Sequence, residues 1–193
     1  MRHNEVRDLE AEFLREICSD VKIEPELIPI GNTILPGGAN TADKARLDVS
    51  AVGLFSPMER NFSDVRVTNL NSPCYREKTP QKVYEINERE KKRDYNQRVI
   101  QVEKGTFTPL IFSTTGGMGP EATKYHKRVA ELISKKKKEE YTDVIKHIRT
   151  RIRFAILRGT LMAIRGDRGR KKRLHSPISE LSYNLIPDSY EIH

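Results

Sequence analysis

Two short runs of alternating polarity, residues 45–54 and 62–68, constrain this chain more than any other feature. A period of two puts successive side chains on opposite sides of an extended backbone. In the first run Leu47, Val49 and Ala51 fall on one side, with Asp48 and Ser50 on the other. In the second, Phe62, Asp64 and Arg66 oppose Val65 and Val67. The intervening "SPMERN" has turn chemistry, so the two runs predict a strand hairpin. Each predicted strand carries an aspartate in its interior. A carboxylate on a half-buried sheet is costly unless something positive sits beside it.

The rest of the chain supplies what would cover such a sheet. Residues 4–18 repeat apolar positions at helical spacing (Val6, Leu9, Phe13, Ile17), with Asn4 as the expected N-cap. "DVKIEPELIPI" alternates briefly and contains two prolines, which suits an edge strand. "GNTILPGGANTADK" is a loop. Residues 80–98 read as a helix with Pro80 in its first turn, carrying Tyr84, Glu88, Lys91 and Tyr95 on one face. A last strand is expected at 106–113, then helices at about 119–138 and 140–165. The second of these has a core stripe of Ile145, Ile148, Ile152 and Ile156. The order predicts an α/β sandwich with a small mixed sheet, one domain over 1–166, and a basic, disordered tail over 167–193.

Asp48 and Asp64 come from adjacent strands and are expected on one face of the sheet. Two carboxylates held close repel unless a cation lies between them. Mg²⁺, or Mn²⁺ in its place, suits hard oxygen ligands from one or two carboxylates, water and phosphate. Lys91 faces the sheet if the 80–98 helix packs Tyr84 and Tyr95 inward. A lysine there would stabilise charge developing on phosphate or help deprotonate an attacking water. The plainer alternative is that Asp64 is half of an ion pair with Arg66 or a helix lysine.

The segments "HNEVRD", "ARLDVSA", "FSDVRVTN", "EKKRDYNQRV" and "VEKGTFTPLIFSTTGGMGPEA" resemble the restriction-endonuclease-like PD-(D/E)xK superfamily. More particularly they look like the nuclease-type segment that follows the reverse transcriptase in non-LTR retroelement proteins of animals. The resemblance spans about residues 1–165 and implies a core of helix, three strands, helix and strand, followed by basic helices. Asp48 matches the aspartate of the second core strand. Asp64-Val65-Arg66 matches the D/E-x-K of the third, with arginine where lysine is usual. Arginine is always charged and a poor proton acceptor. In the retroelement branch the lysine is displaced to the next helix as K-x-x-K-Y. With Tyr95 aligned, Lys91 takes the first lysine and Asp94 stands where the second would be, while Lys92 is one step away. Glu5 matches the helix position where many relatives carry an extra metal-site carboxylate. Its other reading is an acidic residue complementing a helix N-terminus.

Charge agrees with a polyanion partner. The net charge is +8, and residues 119–173 carry 18 Lys and Arg against 6 Asp and Glu. DNA contacted through its backbone phosphates is the expected partner, through Arg66, Lys92, Lys135, Lys136, Arg149 and Arg153. "RGRKKR", Arg168–Arg173, resembles a nuclear localisation signal. The implied function is a metal-dependent DNA endonuclease derived from a retroelement, attached to a reverse transcriptase on a longer chain. The rivals are a nuclease-fold remnant that binds nucleic acid without cutting, and an interaction module whose basic surface meets an acidic protein. "TTGGMGP", Thr114–Pro120, reads as a turn before a helix, since it lacks the lysine of a phosphate-binding loop. His3 and His126 have no metal-ligand partner at fixed spacing and read as surface or packing residues. Cys18 and Cys74 form no motif. No apolar run is long enough to span a membrane.

Overall fold

The computed structural model describes residues 2–172, excluding the side chains of residues 2, 163, 164 and 166–172. Helix α1 (Arg2–Ile17) leads into strand β1 (Ser19–Ile23). After the long connection 24–48 come β2 (Val49–Val52) and β3 (Arg60–Thr68), the expected hairpin. Helix α2 (Pro80–Arg98) crosses over to β4 (Thr106–Ser113), and helices α3 (Pro120–Lys137) and α4 (Tyr141–Lys172) follow. The four strands lie in sequence order. β1, β2 and β3 are antiparallel in turn, and β4 runs parallel to β3 with Asp64 opposite Pro109. β4 is a sheet edge, where a proline without an N–H is tolerated.

Alternation on the strands divides the core between two faces. Val49, Ala51, Val65, Leu110 and Phe112 pack against α1, α3 and α4. The α4 stripe is buried as the spacing requires, with Ile148, Ile152 and Ile156 at most 1% exposed. Burial of each such side chain contributes about 1.5–3 kcal/mol. The opposite face carries Phe62 and Phe107, covered by Tyr95 of α2, Val99, and Leu27, Ala45 and Leu47 from the long connection.

Several expectations are corrected. Asp48 lies at the bend just before β2, not inside a strand, and Leu47 packs on the opposite face from Val49 and Ala51. Helix α1 starts at Arg2, so Asn4 is inside it and is not its N-cap. Helix α4 continues through Lys172, past the boundary expected at 166; residues 173–193 lie outside the described residues.

Two local devices fix α2. Thr79 accepts a hydrogen bond from the Lys82 N–H and Pro80 opens the helix, a standard start. At the other end Arg98 is fully buried, and among the described residues it pairs with no carboxylate. Its guanidinium donates to the carbonyls of Ile28, Asn40 and Ala42, at 2.8–3.1 Å. It therefore pins the irregular connection against the sheet. A π-turn (Val99–Glu103) then ends at Lys104, and Gly105 passes so close to the Arg60 carbonyl that a Cβ would lie 2.4 Å from it.

Candidate active site

The α2 face of the sheet brings Asp64 to Lys91. Asp64 projects from the middle of β3, on the same side as Phe62, and is 6% exposed. Lys91, on the helix above, places Nζ 2.6 Å from Asp64 Oδ2. Among the described residues that buried oxygen has no other donor aligned on it, and the contact is a close ion pair. The ammonium also stands 5.7 Å from the centroid of Tyr95, a cation–π distance. Tyr95 is itself held against Phe107, at 5.8 Å between rings. Burial pushes the Asp64 carboxyl above its ordinary range; Lys91 pulls it back, and the nearby Asp48 pushes it up again.

Asp48 reaches the same place from the bend. The backbone N–H of Asp48 donates to the Ser63 carbonyl, and its Oδ2 accepts the Val65 N–H at 2.6 Å. The carboxylate thus takes the place of the backbone acceptor that a longer β2 would have offered. The same Oδ2 lies 2.9 Å from His3 Nε2, on the first turn of α1. A carboxylate only accepts, so Nε2 carries the proton. The hydrogen bond to Asp48 raises the His3 pKa against the opposing effect of burial. His3 was missed from sequence, because nothing in its spacing links the start of α1 to residue 48.

The other named residues separate. Glu5 does not turn toward the aspartates; Arg158 of α4 engages it, in a cleft also lined by Asp8, Glu12 and Arg151. Lys92 points away from Asp64 and pairs with Glu121 at 2.9 Å. Arg66 pairs with Glu90 of α2 at 2.7 Å. Asp94 is held by its neighbour Arg93. Among the expected phosphate contacts, Lys135, Arg149 and Arg153 are exposed, and Lys136 donates to the Glu16 carbonyl at 2.5 Å. The Arg153 stem lies over the turn at Gly116, whose φ of 83° and tight contact favour glycine. Side chains of the run Arg168–Arg173 lie outside the described residues.

The start of α3 is already occupied by an internal carboxyl group. Glu88, buried on α2, accepts the Glu121 N–H at 2.9 Å, and burial raises its pKa. The glycine-rich segment is the turn before α3, as expected, and the Glu88 contact docks α3 on α2. His126 is a packing residue with a specific partner. Its Nε2 lies 2.8 Å from Glu10 Oε1, and its Nδ1 donates to the Ala122 carbonyl at 2.6 Å. Both side chains are essentially inaccessible.

The donor set suits a hard cation only in part. Asp48 and Asp64 supply oxygens, and the buried Asp64 Oδ2 lacks an aligned donor. Among the described residues no group of three His, Cys, Asp or Glu side chains is arranged to hold a metal. Mg²⁺ commonly binds through one or two carboxylates and completes its shell with water and phosphate oxygens, which two aspartates satisfy. No described helix is long and apolar enough to cross a membrane. No family model matches the chain, and neither does any curated protein or solved structure in the comparison.

Proposed function

We propose that this chain is a metal-dependent DNA endonuclease with a restriction-endonuclease-like core. The observation that carries this reading is the convergence of Asp48 on the buried Asp64–Lys91 pair, since the pair by itself is also what a plain ion-pair reading expects. The element order supports it: one helix, three antiparallel strands, a helix and a parallel strand precede the two basic helices. Within that order Asp48 stands at the entry to the second strand and Asp64 on the third.

Asp48 and Asp64 would hold Mg²⁺ or Mn²⁺. When bound, such a cation polarises a phosphoryl oxygen and makes a coordinated water a better nucleophile. The protein's own part is to orient and to neutralise. Asp48 accepts the Val65 N–H, which ties its carboxylate to β3. Lys91, now 2.6 Å from Asp64, would donate to a phosphate oxygen and stabilise charge developing there. The ring of Tyr95 keeps the ammonium near this position. Exposed arginines of α4 hold the DNA backbone without reading bases.

Nicking of supercoiled plasmid in Mg²⁺ or Mn²⁺, lost in Asp64→Asn, tests the reading. One observation favours a second. Arg66 stands where the strand lysine is usual, and Glu90 engages it. Salt-sensitive DNA binding without nicking in either metal would make the chain a non-cutting nucleic-acid-binding module instead.

A further inference from the structure

We propose that His3 is a positioning residue that sets the Asp48 carboxylate for cation binding; this rests on Asp48 and Asp64 being the cation ligands. The geometry is specific. Asp48 Oδ2 receives two donors, the Val65 N–H at 2.6 Å from the sheet and His3 Nε2–H at 2.9 Å from α1. Two donors on one oxygen fix the carboxylate plane and leave Oδ1 without a hydrogen-bond partner among the described residues. The sheet donor alone leaves the carboxylate free to rotate about the remaining bond; the second removes that freedom. His3 also closes a structural gap. Glu5, the helix residue expected at the site, is drawn off by Arg158, and His3 is the α1 side chain that arrives. Its imidazole remains partly open to solvent, 41% exposed, so it sits at the mouth of the site. Because Nε2 donates, the role requires an N–H at that point and not a negative ligand. Hydrogen-bonding partners of metal ligands of this kind change metal affinity by about 10–100-fold when removed.

The test compares His3→Ala, His3→Gln and Asp48→Asn in the full chain, with Mg²⁺ as the probe. Glutamine can place an amide N–H where histidine Nε2 was. The Val65 amide resonance reports the Asp48 bond without any metal. His3→Ala should move it, and His3→Gln should bring it back. Mg²⁺ titration by calorimetry should show an affinity loss of about tenfold or more in His3→Ala, largely restored in His3→Gln, with thermal midpoints of both near wild type. The proposal is overturned if Asp48→Asn weakens Mg²⁺ binding while His3→Ala does not. It is equally overturned if glutamine fails to restore affinity in a folded protein. If the wild type and Asp48→Asn bind Mg²⁺ equally, or neither binds, Asp48 is no cation ligand; the endonuclease reading then fails and the His3 role with it. If Mg²⁺ binds in the predicted pattern but plasmid is never nicked, the His3 role stands and only the cutting activity falls.

Discussion

Lys91 Nζ and Asp64 Oδ2 meet at 2.6 Å across the gap between α2 and β3, while the next residue, Lys92, turns away to Glu121. One helical step separates a lysine at the site from a lysine that ties two helices together. Lys91→Ala should therefore lower the nicking rate about 10²–10³-fold, the usual cost of one positioned electrostatic group. Lys92→Ala should cut at close to the wild-type rate. The reverse result would place the working lysine on the wrong side of α2 and undo the assignment of roles.

A second prediction concerns the buried pair Glu10–His126, whose atoms approach to 2.8 Å with almost no solvent access. Among the described residues Glu10 Oε2 has no hydrogen-bond partner, so the pair leaves one oxygen unsatisfied. Removing the histidine strands the acid. His126→Ala should cost about 3–5 kcal/mol, as breaking a buried pair does. That corresponds to a fall in thermal midpoint on the order of 10 °C for a domain of this size. Glu10→Ala/His126→Ala should cost less than the sum of the two single changes, since the second truncation removes the group left unpaired by the first. Additive losses would show that the two side chains do not act together.

These two pairs differ in how well sequence announces them. Helix α2 and strand β4 were legible to the residue, because Pro80 marks a start and "TFTPLIFS" is a continuous strand run. The inward turn of Lys91 followed from its spacing to Tyr84 and Tyr95. Glu10 and His126 also lie on apolar helical stripes, Val6-Glu10-Leu14 and Ala122-His126-Val129, and each interrupts its stripe with a titratable group. Each stripe thus carried a signal of a buried partner. His3 carried none, because its partner is 45 residues away and reached only through the bend at Asp48. Asp48 itself reads as a strand residue from its alternation. Its side chain, not its backbone, completes the pairing to Val65, and alternation of polarity cannot distinguish the two. Glu5 was misplaced because a helix end offers several directions, and Arg158 comes from an element 153 residues later in the chain.

The pH dependence of stability should expose Glu88. Burial raises its folded-state pKa above the ordinary 4.5, although the Glu121 N–H and Lys92 act the other way. A carboxyl with a raised folded pKa favours the folded state while protonated. Its contribution is lost as pH rises from the unfolded value through the folded one. Glu88→Gln keeps an acceptor for the Glu121 N–H and never ionises. The stability of Glu88→Gln relative to wild type should therefore increase between pH 4 and pH 7, measured by urea unfolding. A relative stability that falls over this range would mean that the ionised form is favoured in the fold.

Arg98 predicts a local effect. It is the donor to three carbonyls of the 28–42 connection, and hydrogen bonds from a charged donor contribute about 1.5–3 kcal/mol each. Arg98→Met keeps much of the apolar stem and removes the donors. Amides between Ile28 and Lys44 should lose exchange protection, and proteolysis should begin there, while the β3 and β4 amides stay protected. Uniform loss of protection over the sheet would show that Arg98 supports the whole core and not one loop.

The last prediction separates arginines that serve the fold from those that meet DNA. Arg151 and Arg149 are neighbours on α4, yet their surroundings differ. Arg151 makes a two-pronged contact with Glu12 of α1, at 2.9 and 2.8 Å, and that bond raises its already high pKa. Its charge is matched within the protein, so a phosphate would have to compete with a fixed carboxylate. Arg149 and Arg153 are exposed, with no carboxylate partner among the described residues. Each phosphate contact releases counterions, so each lost contact lowers the slope of log affinity against log salt by about one. Arg149→Gln/Arg153→Gln should reduce that slope by about two for duplexes of any sequence. Arg151→Gln should leave it close to wild type. A slope unchanged in the double variant would remove α4 from the DNA-binding surface. A loss of about one in Arg151→Gln would mean that Glu12 releases its arginine when DNA arrives.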